Sequence, residues 1–313
     1  MEGRVLMETR MIGSLDVTVV GLGCNNFGMR IGRAETKAVV DAALDAGINF
    51  FDTADIYGGA KSETYLGEAL GSRRDDIVLA TKFGAPYEGH EGGASAAYIR
   101  TAVEDSLTRL GTDRIDLYQL HLPDPKTPIA ETIGALVELV AEGKVLEFGC
   151  SNFTVAMLNE AAAATPAGSP GFVSVQNQYN ILHRDPEDGV LEWCDGAGVA
   201  FLPYFPLASG LLSGKYRAGQ PLPEGSRLTA MGDGAKSQLS DERLAAVADL
   251  DELAEREGHS VLELAFGWLL TRPAVASVIA GATRPEQITA NVAAGAWRPS
   301  DEVLAAVDTI APR

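Results

Sequence analysis

The chain has little of several things that would mark other classes of protein. Only three cysteines occur, Cys24, Cys150 and Cys194; their odd number and wide separation argue against a disulfide framework and fit a reducing cytoplasm. Histidine is equally scarce. His90, His121, His183 and His259 are scattered, and no two stand at the close spacing typical of metal ligands, so no metal is indicated. Positive charge is short by a wide margin, with 25 Lys and Arg against 43 Asp and Glu and a net charge of −18. Such a surface repels phosphate backbones and anionic lipid, which argues against nucleic acid or a membrane as partner, but a local basic patch can still hold a small anion such as a cofactor phosphate. No apolar run is long enough to cross a bilayer. The opening MEGRVLMETRM carries mixed charge without an apolar h-region, so nothing there resembles a signal peptide and Met7 is an alternative start. Residues 1–10 read as a flexible tail. No Pro- or Ser-rich linker interrupts the remainder of the chain, and residues 1–313 read as a single domain.

What is present is repetition. Eight short runs rich in Val, Ile, Leu and Phe recur, each followed by a polar turn and a segment of helical periodicity. They are VTVVGLG near Val19, INFFDTA near Phe50, DIVLATK near Leu79, IDLYQLH near Leu117, VLEFGCS near Glu147, FVSVQNQ near Ser174, VAFLPYF near Phe201 and VASVIAG near Val278. Seven of them step along at roughly thirty to forty residues, about what a strand, a crossover helix and two loops require. One helix shows the logic: Thr127 reads as its cap, Pro128 suits the first turn, Ile129, Ile133, Leu136, Val137 and Val140 form an apolar stripe, and Gly143 ends it. Alternating units of this kind imply a parallel sheet covered by helices, and eight imply closure into an α/β (β/α)8 TIM barrel, with an open doubly wound sheet as the runner-up. Two Gly-rich stretches, FGAPYEGHEGGAS after the third strand and SGLLSGKYRAGQPLPEGSRLTAMGDGAKS after the seventh, read as loops on the barrel mouth.

Polar residues that do not suit a buried strand are the informative ones, because an unpaired charge inside a barrel is costly. Asp52 ends the second strand, Tyr57 follows five positions later, Lys82 ends the third strand and His121 ends the fourth. The C-terminal ends of barrel strands meet on one rim, so these four side chains can converge on a single pocket. A tyrosine is a poor acid near neutrality unless a cation stabilises its phenolate. Lys82 suits that part, with Asp52 as its counterion, or the two form only a structural ion pair. His121 suits a hydrogen bond to a substrate oxygen. Asp55 is the competing carboxylate in the same turn. The set holds no nucleophile and no metal; it suits proton delivery to an oxygen while something else attacks carbon.

The segments FFDTADIYG, LATKFG and LYQLHLPD resemble the three catalytic segments of the aldo-keto reductases in order, spacing and residue type. The resemblance runs from GLGCNNFG at Gly21 to VIAGATRPEQITAN at Asn291. It implies a (β/α)8 barrel, a tetrad of Asp52, Tyr57, Lys82 and His121, and hydride transfer from a nicotinamide to an aldehyde or ketone while Tyr57 protonates the oxygen. It also implies cofactor contacts: Ser151, Asn152 and Gln176 on the nicotinamide carboxamide, Tyr204 stacked on its ring, and Leu207, Ser209 and Lys215 along the pyrophosphate. For the adenosine phosphate it implies Gly281, Thr283, Arg284, Gln287 and Asn291, with Arg284 on the 2′-phosphate. NADPH is therefore expected, with NADH as the alternative, because Gly281 departs from members that carry a lysine there. GLGCNNFG itself has the wrong spacing for a G-x-G-x-x-G fingerprint and reads as the exit of the first strand. The partner is then a small carbonyl or alcohol substrate. Two other functions fit parts of the pattern: a cofactor-binding regulatory subunit of the potassium-channel β type, and a Schiff-base lyase with Lys82 as nucleophile.

Overall fold

The computed structural model describes residues 7–87, 89–216, 220, 228–229 and 239–313. It begins with an antiparallel hairpin, β1 (Thr9–Ile12) and β2 (Leu15–Thr18), turned at Gly13 in the left-handed region. Eight strands follow: β3 (Val20–Gly23), β4 (Phe50–Asp52), β5 (Val78–Phe83), β6 (Ile115–Leu120), β7 (Val145–Ser151), β8 (Ser174–Gln178), β9 (Ala200–Tyr204) and β10 (Val278–Gly281). They run parallel, each beside its successor, with β10 against β3. Phe201 closes the ring, its N–H donating to the Ala274 carbonyl at 2.7 Å and its carbonyl accepting from Ala276 at 3.1 Å. The eight strands expected from the sequence are the eight of the barrel.

Strand side chains alternate between faces, and that alternation builds the barrel in layers. Phe50, Ala80, Leu117 and Leu202 point inward and pack with Ile12, Leu15 and Val17 of the hairpin, which plugs the N-terminal end. Their neighbours Phe51, Leu79 and Tyr118 point outward into the core shared with the helices. Two residues further along the inner face stand Asp52, Lys82 and Gln119, which with Gln176 make a polar layer above the apolar one. The hairpin corrects the reading of residues 1–10 as a tail at its far end. Thr9 and Arg10 belong to β1, and Arg10 ties the hairpin down by donating to the carbonyls of Leu270 at 2.9 Å and Val275 at 2.6 Å. Residues 1–6 of that expectation lie outside the described residues.

The helices are α1 (Arg33–Asp45), α2 (Lys61–Leu70), α3 (Ala96–Leu110), α4 (Ile129–Ala141), α5 (Val155–Ala164), α6 (Val190–Ala197), α7 (Asp241–Arg256), α8 (Val261–Leu270), α9 (Pro285–Ala294) and α10 (Asp301–Ile310). Ser95, Thr154, Ser240, Ser260 and Ser300 each cap one of them by accepting a backbone N–H of the first turn. In α4 the expected cap differs. Pro128 holds that position without a side-chain bond, and the Thr127 hydroxyl donates instead to Asp124 at 2.7 Å, ordering the loop before the helix. The stripe shifts accordingly, with Ile133, Leu136 and Leu139 buried and Val137 and Val140 partly so. After β5, Tyr87 and His90 are bridged and stacked on each other. Most of the Ser209–Ser237 loop expected after the seventh strand lies outside the described residues.

Candidate active site

The C-terminal rim surrounds a cavity of about 900 Å³. Its walls include every residue assigned from the sequence to the tetrad or the cofactor except Lys82, from Asp52, Tyr57 and His121 through Ser151, Asn152, Gln176, Tyr204, Leu207, Ser209 and Lys215 to Gly281, Thr283, Arg284, Gln287 and Asn291. Lys82 lies directly behind, fully buried. Its ammonium donates to Asp52 Oδ2 at 2.6 Å and to the Thr53 carbonyl at 2.9 Å, and it sits 5.2 Å from the centre of the Tyr57 ring. The second Asp52 oxygen accepts from Gln176 Nε2 at 3.0 Å and from Gln119 Nε2 at 3.2 Å. A carboxylate satisfied on both oxygens can hold a cation where an isolated one could not. The His121 ring meets the Tyr57 ring edge to face at 5.9 Å.

Burial governs the ionisation of this group. It would pull Lys82 down, but Asp52 and then Tyr57 outweigh it and leave the ammonium above its ordinary range. Burial lifts Tyr57 above the usual phenol value, with the Lys82 charge opposing that lift. At neutral pH Tyr57 thus keeps its proton beside a cation that stabilises the phenolate left when the proton departs. Burial, reinforced by the Lys82 charge, lowers His121 to about 3. His121 is accordingly a neutral imidazole, a hydrogen-bond donor through one nitrogen and not an acid. Asp55 stands apart. Burial first, and then the Glu63 charge, lift it to about 8, and it faces a separate void of about 20 Å³ beside Tyr98 and Arg109. The ambiguity between the two carboxylates is thereby resolved in geometry: Asp52, not Asp55, holds Lys82.

The polar groups beside the tetrad are cross-braced. Ser151 Oγ donates to the Gln176 carbonyl at 2.6 Å, Asn152 Nδ2 donates to the His121 carbonyl at 3.0 Å and to Ser151 Oγ at 3.1 Å, and Tyr204 donates to Asn152 Oδ1 at 2.9 Å. Their hydrogens are committed to protein acceptors, while lone pairs on Ser151 and Asn152 remain for a donor such as a carboxamide. Asn152, Phe205, Ala208 and Ser209 all adopt left-handed φ values, between 46° and 64°. Strain of this kind persists where the surroundings over-determine the backbone, and here Asn152, Phe205 and Ser209 line the cavity. At the far end Arg284 is the N-cap of α9 without a side-chain cap bond, and Thr283 is tied to Gln287 Oε1 through its N–H at 2.8 Å and its hydroxyl at 3.1 Å. Lys215 is lowered by burial and then by the charges of Arg30 and Arg284, which places three cations together. Space for a dinucleotide, cations at one end and amide acceptors at the other fit a nicotinamide cofactor.

Two of these residues were missed by the sequence reading. Gln119 is hidden inside the fourth strand, where its partner Asp52 is 67 positions away. Arg30 follows GLGCNNFG, and only the turn that folds back from Asn26, with N–H bonds from Arg30 and Ile31 to the Asn26 carbonyl, brings it to the rim. Gly281 marks a close approach, since a Cβ there would lie 2.9 Å from Asn26 Nδ2.

Comparison with known proteins agrees with this geometry. The sequence profile of the Aldo/keto reductase family matches residues 19–312. The oxidoreductase YqkF of Bacillus subtilis is 36% identical over 310 residues, covering 97% of this chain and 96% of that protein. A probable voltage-gated potassium channel subunit beta of Oryza sativa is 35% identical over 276 residues, covering 86% and 84%. Among solved structures, the holo form of aldo-keto reductase AKR11C1 from Bacillus halodurans superposes with a TM-score of 0.79 at 36% identity, covering 97% of this chain and 96% of that one. The chain belongs to the aldo-keto reductase family, whose members are oxidoreductases that use nicotinamide cofactors.

Proposed function

We propose that this protein reduces an aldehyde or ketone to an alcohol with NADPH, and that Tyr57 delivers the proton. The observation that carries the reading is the convergence of Tyr57 and neutral His121 on the cavity wall with the buried Lys82–Asp52 pair behind them. When bound, the nicotinamide supplies the hydride. Ser151, Asn152 and Gln176 would hold its carboxamide, Tyr204 its ring, Leu207, Ser209 and Lys215 the pyrophosphate, and Thr283, Arg284, Gln287 and Asn291, with Gly281 giving room, the adenosine phosphate. His121 orients the substrate oxygen by a hydrogen bond, and Tyr57 gives up its proton as that oxygen gains negative charge. Lys82 stabilises the resulting phenolate without leaving its pocket.

A Schiff-base role for Lys82 is disfavoured by the same facts, since a nucleophilic amine must be uncharged and reach the cavity, and this one is buried and held charged by Asp52. Similarity to channel β subunits favours a second reading, in which the chain holds cofactor to report on its redox state. Following nicotinamide absorbance with purified protein, NADPH and a panel of aldehydes separates the two. Substrate-dependent oxidation over many turnovers supports the reductase, and its absence across the panel overturns it. Arg284→Ala should weaken NADPH by the roughly 1.5–3 kcal/mol of a charge-assisted hydrogen bond and leave NADH binding nearly unchanged in a fluorescence titration. Equal losses would remove Arg284 from the 2′-phosphate.

A further inference from the structure

The turn that presents Tyr57 separates two hollows. Asp55 and Ile56 are its central residues, closed by the Tyr57 N–H on the Ala54 carbonyl at 3.2 Å, and the Asp55 N–H bonds to the Lys82 carbonyl at 3.2 Å. Ile56 and Tyr57 line the large cavity. Asp55 lines instead the small void of about 20 Å³, which it shares with Tyr87, Tyr98, Thr101 and Arg109. Asp55 is 1% exposed, and neither of its carboxylate oxygens completes a hydrogen bond within the protein.

Among the described residues, no group facing Asp55 is free to act as its counterion. From α2, Glu63 adds like charge; fully buried, it takes Arg109 Nε at 2.6 Å and the Thr81 hydroxyl at 2.6 Å. From α3, Arg109 is thereby committed and bonds also to Ser106 at 3.3 Å, Asp105 adds negative charge, and Tyr98 is a phenol that burial lifts to about 12. From β5 comes Lys82, held by Asp52 and the Thr53 carbonyl, and from β6 Tyr118, whose buried hydroxyl also has no partner. Tyr87 and His90, stacked on each other, complete the wall. The void has room for about one water, too few for a carboxylate with about four lone-pair sites. A buried anion without partners is far costlier than the neutral acid. Burial and then the Glu63 charge accordingly lift Asp55 to about 8, and Arg109, the Ile56 N–H and Lys82 oppose that lift without cancelling it.

We propose that Asp55 is a positioning residue that works as the neutral acid: uncharged, it keeps the back of the Tyr57 turn seated toward α3, and on ionising it draws water into the void and displaces the turn. Turnover is then lost on the alkaline side, because the proton donor leaves its place. The loss of turnover rests on the reductase reading above; the charge state of Asp55 does not.

Two measurements need no turnover. In the wild type, ¹³C-labelled aspartate carboxyls followed by NMR should show one midpoint at about 8, far above ordinary aspartates at about 3.9, and Asp55→Asn should remove it. The thermal denaturation midpoint of Asp55→Asn relative to wild type should climb between about pH 5 and 8 and then level. In that window the folded wild type keeps a proton that its unfolded chain has released, and each pH unit costs it about tenfold in the folding equilibrium. Absence of the high carboxyl midpoint, or a thermal difference constant with pH, overturns the neutral acid. With NADPH and a saturating aldehyde, kcat should fall about tenfold between pH 7 and 9 in the wild type, and that fall should be absent in Asp55→Asn. An equal fall in both overturns the positioning role while leaving the reductase intact. No turnover with any aldehyde overturns the reductase reading and the effect on turnover with it, and the carboxyl titration still decides the charge state.

Discussion

Lys82 and His121 show how one buried rim sets two groups in opposite directions. Each is desolvated, but Lys82 has Asp52 at 2.6 Å, whereas His121 has no anion and feels Lys82. His121 should therefore remain neutral through the whole range in which an ordinary histidine titrates. ¹³C-labelled histidine, followed by NMR between about pH 5 and 8 and identified with His121→Gln, should show no inflection for that ring; a midpoint near the ordinary value of about 6.5 would contradict the described burial. The linkage has a definite sign. Because the folded value lies below the unfolded one, the unfolded chain takes up a proton that the folded chain refuses, so His121 removes stability as pH falls from about 6.5 toward about 3. At this scale the convergence of Asp52, Tyr57, Lys82 and His121 could be read from the sequence because charged or polar side chains ending apolar runs are conspicuous. Gln119 could not, because an amide within a strand announces neither its direction nor a partner across the barrel.

At the scale of elements, the barrel strands were legible because parallel strands are buried on both faces and read as apolar runs. The β1–β2 hairpin was not. Its sequence, TRMI and LDVT, mixes charge with apolar residues, and its burial depends on a barrel floor that a local reading cannot contain. The α4 cap failed for a related reason, since Asp124 competes for Thr127. Helix contacts are equally specific. Gly67 in α2 packs against the end of α3 so tightly that a Cβ would lie 2.2 Å from the Leu110 carbonyl. Alanine normally favours a helix over glycine by about 1 kcal/mol, but the obstacle here is backbone, and overpacking costs roughly 1–3 kcal/mol. Gly67→Ala should lower the thermal denaturation midpoint; a midpoint at or above wild type would show that α2 and α3 can separate freely.

Across the whole molecule, a net charge of −18 coexists with a cavity that gathers Arg30, Lys215 and Arg284 at one end. The sequence predicted the sign of the surface and the possibility of a basic patch; only the closed barrel brings residues following its first, seventh and eighth strands together. The same closure stacks a polar layer of Asp52, Lys82, Gln119 and Gln176 on an apolar one, so that the tyrosine and histidine above it face a wall already neutral in net charge and satisfied in hydrogen bonds. Tyr57 is proposed as the proton donor of that wall. Tyr57→Phe keeps the ring and its edge contact with His121 while removing the hydroxyl, so steady-state turnover and NADPH affinity measured on one folded preparation test the claim most directly. In Tyr57→Phe kcat should fall by about 10² to 10⁴ with cofactor affinity nearly unchanged; turnover close to wild type would show that Tyr57 is not the donor.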